Sequence, residues 1–211
     1  MLHLNRFFIN YLVVILFLIC SFCHAQPQIY TGLKVGLNKS QILNDDHLGY
    51  NKTGFNGGLF IQLKIAKKWT SQFETLCSFK GCQNKHQSNY VVDPYLVSLY
   101  YFDFPLLFQY HQKKITYELG LGIGYLREQR ELILLKGITN DFTNRFSRTE
   151  QSGIIGIAYT FNNNNNLGLD FRYSNSILPV RKATTKQYNS LFTLSLTYKT
   201  DFKKKKNAEE L

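Results

Sequence analysis

The stretch Ile115-Thr116-Tyr117-Glu118-Leu119-Gly120-Leu121-Gly122-Ile123-Gly124-Tyr125-Leu126 sets the pattern for the whole chain. Tyr117, Leu119, Leu121, Ile123 and Tyr125 fall at every second position, and Thr116, Glu118, Gly120, Gly122 and Gly124 fill the positions between. A period of two belongs to a pleated strand, whose successive side chains point to opposite faces; a helix repeats at 3.6. This segment is a strand with one greasy face and one small or polar face. Leu167, Leu169, Phe171 and Tyr173 against Gly168, Asp170, Arg172 and Ser174 repeat the pattern, as do Phe192, Leu194, Leu196 and Tyr198 against Thr193, Ser195 and Thr197.

Counting from both ends of that stretch, eight alternating segments rich in Tyr, Phe, Leu, Ile and Thr lie near residues 28–38, 53–65, 69–80, 96–110, 115–126, 153–161, 167–174 and 188–199. Most have about the 9 to 11 residues that a tilted strand needs to cross a bilayer. The connections alternate in length. Short ones lie at 66–68, 111–114 and 162–166, where five asparagines make a turn, and long ones at 39–52, 81–95, 127–152 and 175–187. Tight turns on one side and long loops on the other are the mark of outer-membrane barrels, with both chain ends on the periplasmic side. The expectation is an all-β fold, an eight-stranded antiparallel up-and-down transmembrane β-barrel.

A soluble lipocalin-like barrel would alternate too, and three details favour the membrane. Glycines gather on the polar face, also at Gly32, Gly36 and Gly58, where a narrow lumen gains from missing side chains. Aromatics of the greasy face sit at strand ends, Trp69, Tyr110, Tyr117, Phe161 and Tyr198 toward the short turns and Tyr100, Tyr125 and Tyr173 toward the long loops, as two girdles would. Third, Lys34, Lys64, Lys80 and Arg172 share the polar face with Glu74, Asp103, Glu118 and Asp170, a mixture that predicts a lumen charge network and a plugged lumen.

The chain's 211 residues suit one domain. Ahead of it, Arg6, the apolar run Phe7–Ile19 and Cys23-His24-Ala25 read as a secretory signal peptide over 1–25, cleaved before Gln26. The run is shorter than the ~20 residues of a spanning helix, and Ile19 and Phe22 ahead of Cys20 and Cys23 are not the small residues of a lipoprotein signal. The expected organisation is a barrel domain over 26–202 and a charged tail over 203–211. Cys77 and Cys82 remain in the exported chain; on one extended strand they stand ~16 Å apart, so they can pair only if the chain folds back near Gly81. Of the formal charge of +11, Arg6 takes one unit away with the leader, leaving +10. The bases are scattered except at Lys203–Lys206, which suits a solvated tail or anionic head groups and not nucleic acid.

No nucleophile elbow, phosphate-cradling glycine loop, His-Glu-x-x-His or Cys-x-x-Cys occurs, so no cofactor, metal or catalytic residue is expected and the chain does not read as an enzyme. Asp45, Asp46, His47, His86 and Asp93 could stand at the outer rim, where some barrels place catalytic groups, but no nucleophile accompanies them, and His111 falls on the opposite side. The role expected is a non-catalytic outer-membrane barrel, structural or serving an envelope or secretion complex. The alternative is a binder or small channel for an extracellular ligand. Partners expected are outer-membrane lipid and the barrel-assembly machinery.

Four stretches carry a family resemblance: Gly32-Leu33-Lys34-Val35-Gly36-Leu37-Asn38, Gly54-Phe55-Asn56-Gly57-Gly58-Leu59, Phe102-Asp103-Phe104-Pro105-Leu106-Leu107 and Phe171-Arg172-Tyr173. Together they resemble the PorT-like outer-membrane barrels of Bacteroidetes over nearly all of residues 28–202. Asp103 stands where that family usually has Glu, and the chain runs past Phe202 where barrels commonly finish on an aromatic. The resemblance implies an outer-membrane barrel, with a namesake in a gliding-associated secretion system, and brings no catalytic residues.

Overall fold

The computed structural model describes residues 28–44, 49–83, 95–135, 138–141, 146–161, 166–182 and 185–201. Its strands are β1 (Ile29–Leu43), β2 (Lys52–Ala66), β3 (Trp69–Gln83), β4 (Tyr95–Gln112), β5 (Ile115–Leu135), β6 (Ile138–Asp141), β7 (Thr149–Thr160), β8 (Leu167–Ser176), β9 (Arg181–Lys182) and β10 (Lys186–Asp201). Antiparallel neighbours follow the order β1-β2-β3-β4-β5-β7-β8-β10, and β10 pairs back onto β1 from Tyr30↔Asp201 to Leu43↔Tyr188. That closes an eight-stranded barrel and leaves its wall without a free edge. The short β6 and β9 are additions on β5 and β10. Among the described residues no helix is long and apolar enough to cross a membrane.

The two faces of β5 separate as its alternation requires: Leu119, Leu121 and Ile123 point outward with 64%, 63% and 60% of their surface exposed, while Thr116 and Glu118 are buried inside. Exposed apolar side chains continue around the wall, among them Val35 and Leu37 on β1, Leu59 and Ile61 on β2, Leu106 and Phe108 on β4, Ile155 on β7 and Leu194 on β10. Water does not stably cover an apolar band of that extent; hydrocarbon does. At the short-turn end Trp69 packs on Tyr110 with centroids 5.0 Å apart, and at the other end Phe79 stacks on Tyr100 at 4.8 Å. The β4–β5 turn is only Lys113-Lys114, and the left-handed φ of 57° at Lys113 lets so short a loop reverse the chain.

The wall is taller than the periodic segments suggest. β1 runs on to Leu43, β3 to Gln83 and β5 to Leu135, so much of the long connections is sheet that rises beyond the apolar band. In β5 the reason is a bulge: Tyr100 pairs with Glu128 and Tyr101 with Leu126, leaving Arg127 as the extra residue. Below it even-numbered residues face inward; above it the odd-numbered Glu131 is the buried one. Strict alternation stops at such a phase change although the strand does not.

No disulfide joins Cys77 and Cys82, and both are thiols. Cys77 lies half-buried on the outward face of β3 and Cys82 is buried within, with Gly81 at φ 137° between them, so a slight bend of the strand does not bring the sulfurs together. The leader 1–25, most of the 162–166 turn and the tail 203–211 lie outside the described residues.

Candidate functional site

The lumen holds the molecule's concentrated chemistry. Four strands, β1, β3, β5 and β8, each turn a charged residue inward at one level. Arg172 is the centre: Nη1 and Nη2 donate to Glu74 Oε2 and Oε1 at 2.8 Å each, Nε donates to Glu118 Oε2 at 2.6 Å, and Nη2 lies 2.8 Å from Asp170 Oδ2. Lys34 Nζ meets the same Asp170 Oδ2 at 3.0 Å and Glu74 Oε1 at 3.7 Å. Gln72 and Gln109 extend the layer, donating to Glu74 and Glu118 at 2.5 and 2.7 Å. A two-pronged guanidinium–carboxylate contact, with further donors on the same carboxylates, is the arrangement in which buried charge is tolerated. Glycine makes the room, since a Cβ on Gly156 would stand 2.8 Å from Arg172 Cγ and 3.0 Å from Glu118 Oε2.

A second cluster sits toward the long loops. Lys80 Nζ reaches Asp103 at 2.9 Å and Glu150 Oε2 at 3.1 Å, Ser176 Oγ and Asn189 Nδ2 donate to Glu150 at 2.7 and 3.1 Å, and Lys80 lies 4.5 Å from the Tyr101 ring centroid. Glu150 falls within 127–152, which reads as loop in sequence; its shared phase with the inner-face positions 152, 154 and 156 is the one signal that points to it. Beyond this cluster apolar side chains take over much of the lumen. Ile42, Cys82, Val97, Leu99, Tyr101, Leu126, Phe146 and Val180 form a buried apolar cap, and Arg181 Nη1 meets Glu131 Oε1 at 3.3 Å beside it. At this end burial holds Lys52 below the usual lysine range, the nearby Cys82 sulfur acting the other way, and its ammonium donates to Ser98 Oγ at 2.8 Å.

Of the eight charged residues assigned to the inner face from sequence, Lys34, Glu74, Asp103, Asp170, Glu118, Arg172 and Lys80 fall into these two ion-paired groups. Lys64 does not. It stands exposed at the short-turn mouth, two residues from the end of β2, and its ammonium donates to Gln28 Oε1 at 3.0 Å, too far down the strand to reach the acids.

The short-turn half of the lumen is open. A cavity of about 230 Å³ extends from the mouth, lined by Lys64, Lys67, Lys113 and Lys199, to a floor at Glu118 and Asp170. Its wall carries a Gln62–Thr70–Gln109 network, with Thr70 Oγ1 2.9 Å from Gln109 Oε1. His111, just past the girdle residue Tyr110, bridges Thr70 and Thr116 at 2.8 and 2.9 Å. Burial first, then Lys199 and Lys64, lower its pKa and disfavour the charged ring. A smaller cavity of about 50 Å³ lies between the two charged groups.

The rim candidates Asp45, Asp46, His47, His86 and Asp93 lie outside the described residues. Among the described residues no group of three or more His, Cys, Asp or Glu is placed to hold a metal ion.

A family model described as "Outer membrane protein beta-barrel domain" matches residues 24–181. Among solved structures, Ail, the attachment invasion locus protein of Yersinia pestis, is similar with a TM-score of 0.50 at 15% identity, covering 82% of this chain and 99% of that one. Neisserial surface protein A gives 0.45 at 12% identity, covering 81% and 96%, and the E. coli outer membrane protein W gives 0.36 at 12%, covering 84% and 100%. No curated protein matches the chain in sequence. The likeness to Ail, at that identity, speaks to the fold alone, whereas the family model spans most of the chain: with its closed wall and lipid-facing band, the chain belongs to the outer membrane protein beta-barrel domain family and resides in the bacterial outer membrane.

Proposed function

We propose that this protein is a non-catalytic, occluded barrel that serves an envelope or secretion complex through its exposed ends. One observation carries the reading: the Arg172–Glu74–Glu118–Asp170–Lys34 layer crosses the lumen, and its groups bind one another where an ion would have to pass. The apolar cap around Leu99 and Tyr101 is a second barrier. Inward-facing groups that satisfy each other have no reactive atom to offer a substrate, which also argues against an enzyme. The PorT-like resemblance supports service to a secretion system. Within the proposal the leader 1–25 is cleaved near Gln26, the barrel-assembly machinery inserts the 26–202 domain, and the 203–211 tail stays on the periplasmic side.

Purified protein in planar bilayers should give no steady conductance, and crosslinking in native membranes should recover envelope proteins on its ends. Steady wild-type conductance would overturn occlusion. A second reading, a binder for an extracellular ligand, is favoured by Ile177 and Leu178, 55% and 52% exposed beside β8 at the long-loop end, with Arg127 and Arg148 exposed at the same end. Retention of an added ligand with no envelope protein crosslinked would favour it.

A further inference from the structure

The short-turn vestibule differs from the rest of the lumen in one respect. Deeper in, Lys34, Lys80 and Arg172 each have a carboxylate within about 3 Å. At the mouth, Lys199 is half-buried, and among the described residues its ammonium meets Gln62 Oε1 at 3.4 Å and the Tyr30 ring at 4.9 Å. Lys64 has the amide oxygen of Gln28 at 3.0 Å, and neither has a carboxylate within ion-pair distance among the described side chains. Lys67 and Lys113 add positive charge from the β2–β3 and β4–β5 turns. The floor acids offset them only in part, because Glu74, Glu118 and Asp170 together exceed Arg172 and Lys34 by one charge, against four lysines at the mouth. Cations gathered around a walled space in excess of the acids among the described side chains raise the local concentration of anions.

We propose that this vestibule is a binding site for a phosphate group, with Lys64 and Lys199 as its principal ligands and Lys67 and Lys113 closing over it. The four ammoniums come from β2, β10 and two separate turns, so they approach from different sides of the ring. A tetrahedral phosphate group accepts donors from several directions, and lysine serves it as a mobile point charge; a planar carboxylate is better matched by the arginine fork, which the cavity lining lacks. At about 230 Å³ the cavity falls below the ~300 to 1,000 Å³ of sites for drug-sized molecules, which suits one small polar group. Being at the membrane's edge, the group can come from a phospholipid headgroup of the adjoining leaflet or from a free phosphate.

The test uses the full exported chain in a maltoside detergent free of phosphate. Inorganic phosphate is titrated by calorimetry, and native mass spectrometry records phosphatidylglycerol retained from vesicles of that lipid mixed with phosphatidylcholine. Lys199→Gln and Lys64→Gln are compared with Lys114→Gln, an exposed residue outside the cavity; unboiled gel mobility reports that each barrel is closed. Saturable phosphate binding weakened about tenfold or more by Lys199→Gln or Lys64→Gln, and unchanged by Lys114→Gln, supports the site with a free phosphate as ligand; one charge-assisted hydrogen bond is worth that much. Retention of phosphatidylglycerol that fails in the same two variants, without inorganic phosphate binding, supports the lipid source. If neither probe binds, or if all three variants behave as wild type or weaken binding equally, the vestibule is not a phosphate site.

Discussion

The two ends of the lumen are built from the same strands and solve the problem of an enclosed space in opposite ways. Toward the long loops, Lys80 and Arg181 are paired with Glu150 and Glu131, and the remaining volume is filled by Val97, Leu99, Tyr101 and Leu126. Toward the short turns the space stays open, polar and lysine-rimmed. Between them lies the Arg172 layer, on the inner side of the wall where Phe171, paired with Ile157 on β7 and Leu194 on β10, faces outward. Closure of a small barrel is therefore decided level by level, by which side chains its wall turns inward. At the closed end and in the middle layer those side chains fill the lumen from wall to wall; at the open end Gln62, Thr70, Gln109 and His111 bond one another along the wall and leave a cavity beside them.

The middle layer is where a single substitution should cost most. Arg172→Met strands Glu74, Glu118 and Asp170 without their main counter-ion, and removing one partner of a buried ion pair costs about 3 to 5 kcal/mol. Urea unfolding in lipid vesicles should show a loss of that size; a variant as stable as wild type would mean that the layer is hydrated and open. At the closed end, Leu99→Ala should cost roughly 2 to 5 kcal/mol by leaving a cavity in the cap, measured the same way. A negligible loss would show that the cap does not pack as one core.

The outward face gives a third comparison. Leu121→Arg places a charge in the middle of the lipid-facing run of β5 and should cost about 2 to 4 kcal/mol, with poorer insertion into vesicles. Full tolerance would contradict the lipid-facing band. The smallest effect belongs to the open end: Lys64→Gln, exposed and, among the described residues, paired with an amide, should change stability by less than about 0.5 kcal/mol. A larger loss would mean that the mouth is part of the rigid core after all.

Much of the wall is legible in the sequence because a strand's period of two is a local property. Tyr117 to Tyr125 on one face and Glu118 with its glycines on the other need no partner strand to be assigned. The alternating short and long connections carry the up-and-down order for the same reason. What local pattern does not carry is the outer half of the barrel. The Arg127 bulge reverses the phase of β5, so the inward Glu131 is unreadable by alternation, and Glu150 sits in a segment without enough greasy residues to announce a strand. Lys64 stands apart from the charged layers for the converse reason: its phase is inward, but its height along the barrel depends on strand tilt and shear.

Fold class, lipid-facing residues and the inward set of charges thus follow from periodicity and residue chemistry along single strands, which any one segment displays without its neighbours. Which charges meet is a tertiary matter. Glu74 and Arg172 are 98 positions apart and Lys34 and Asp170 are 136 apart, and closure of the wall brings them to one level. The same holds for the far end, which fills with apolar side chains, and the near end, which stays open, because the level of each inward residue is set by register between strands and not by any one strand's own pattern.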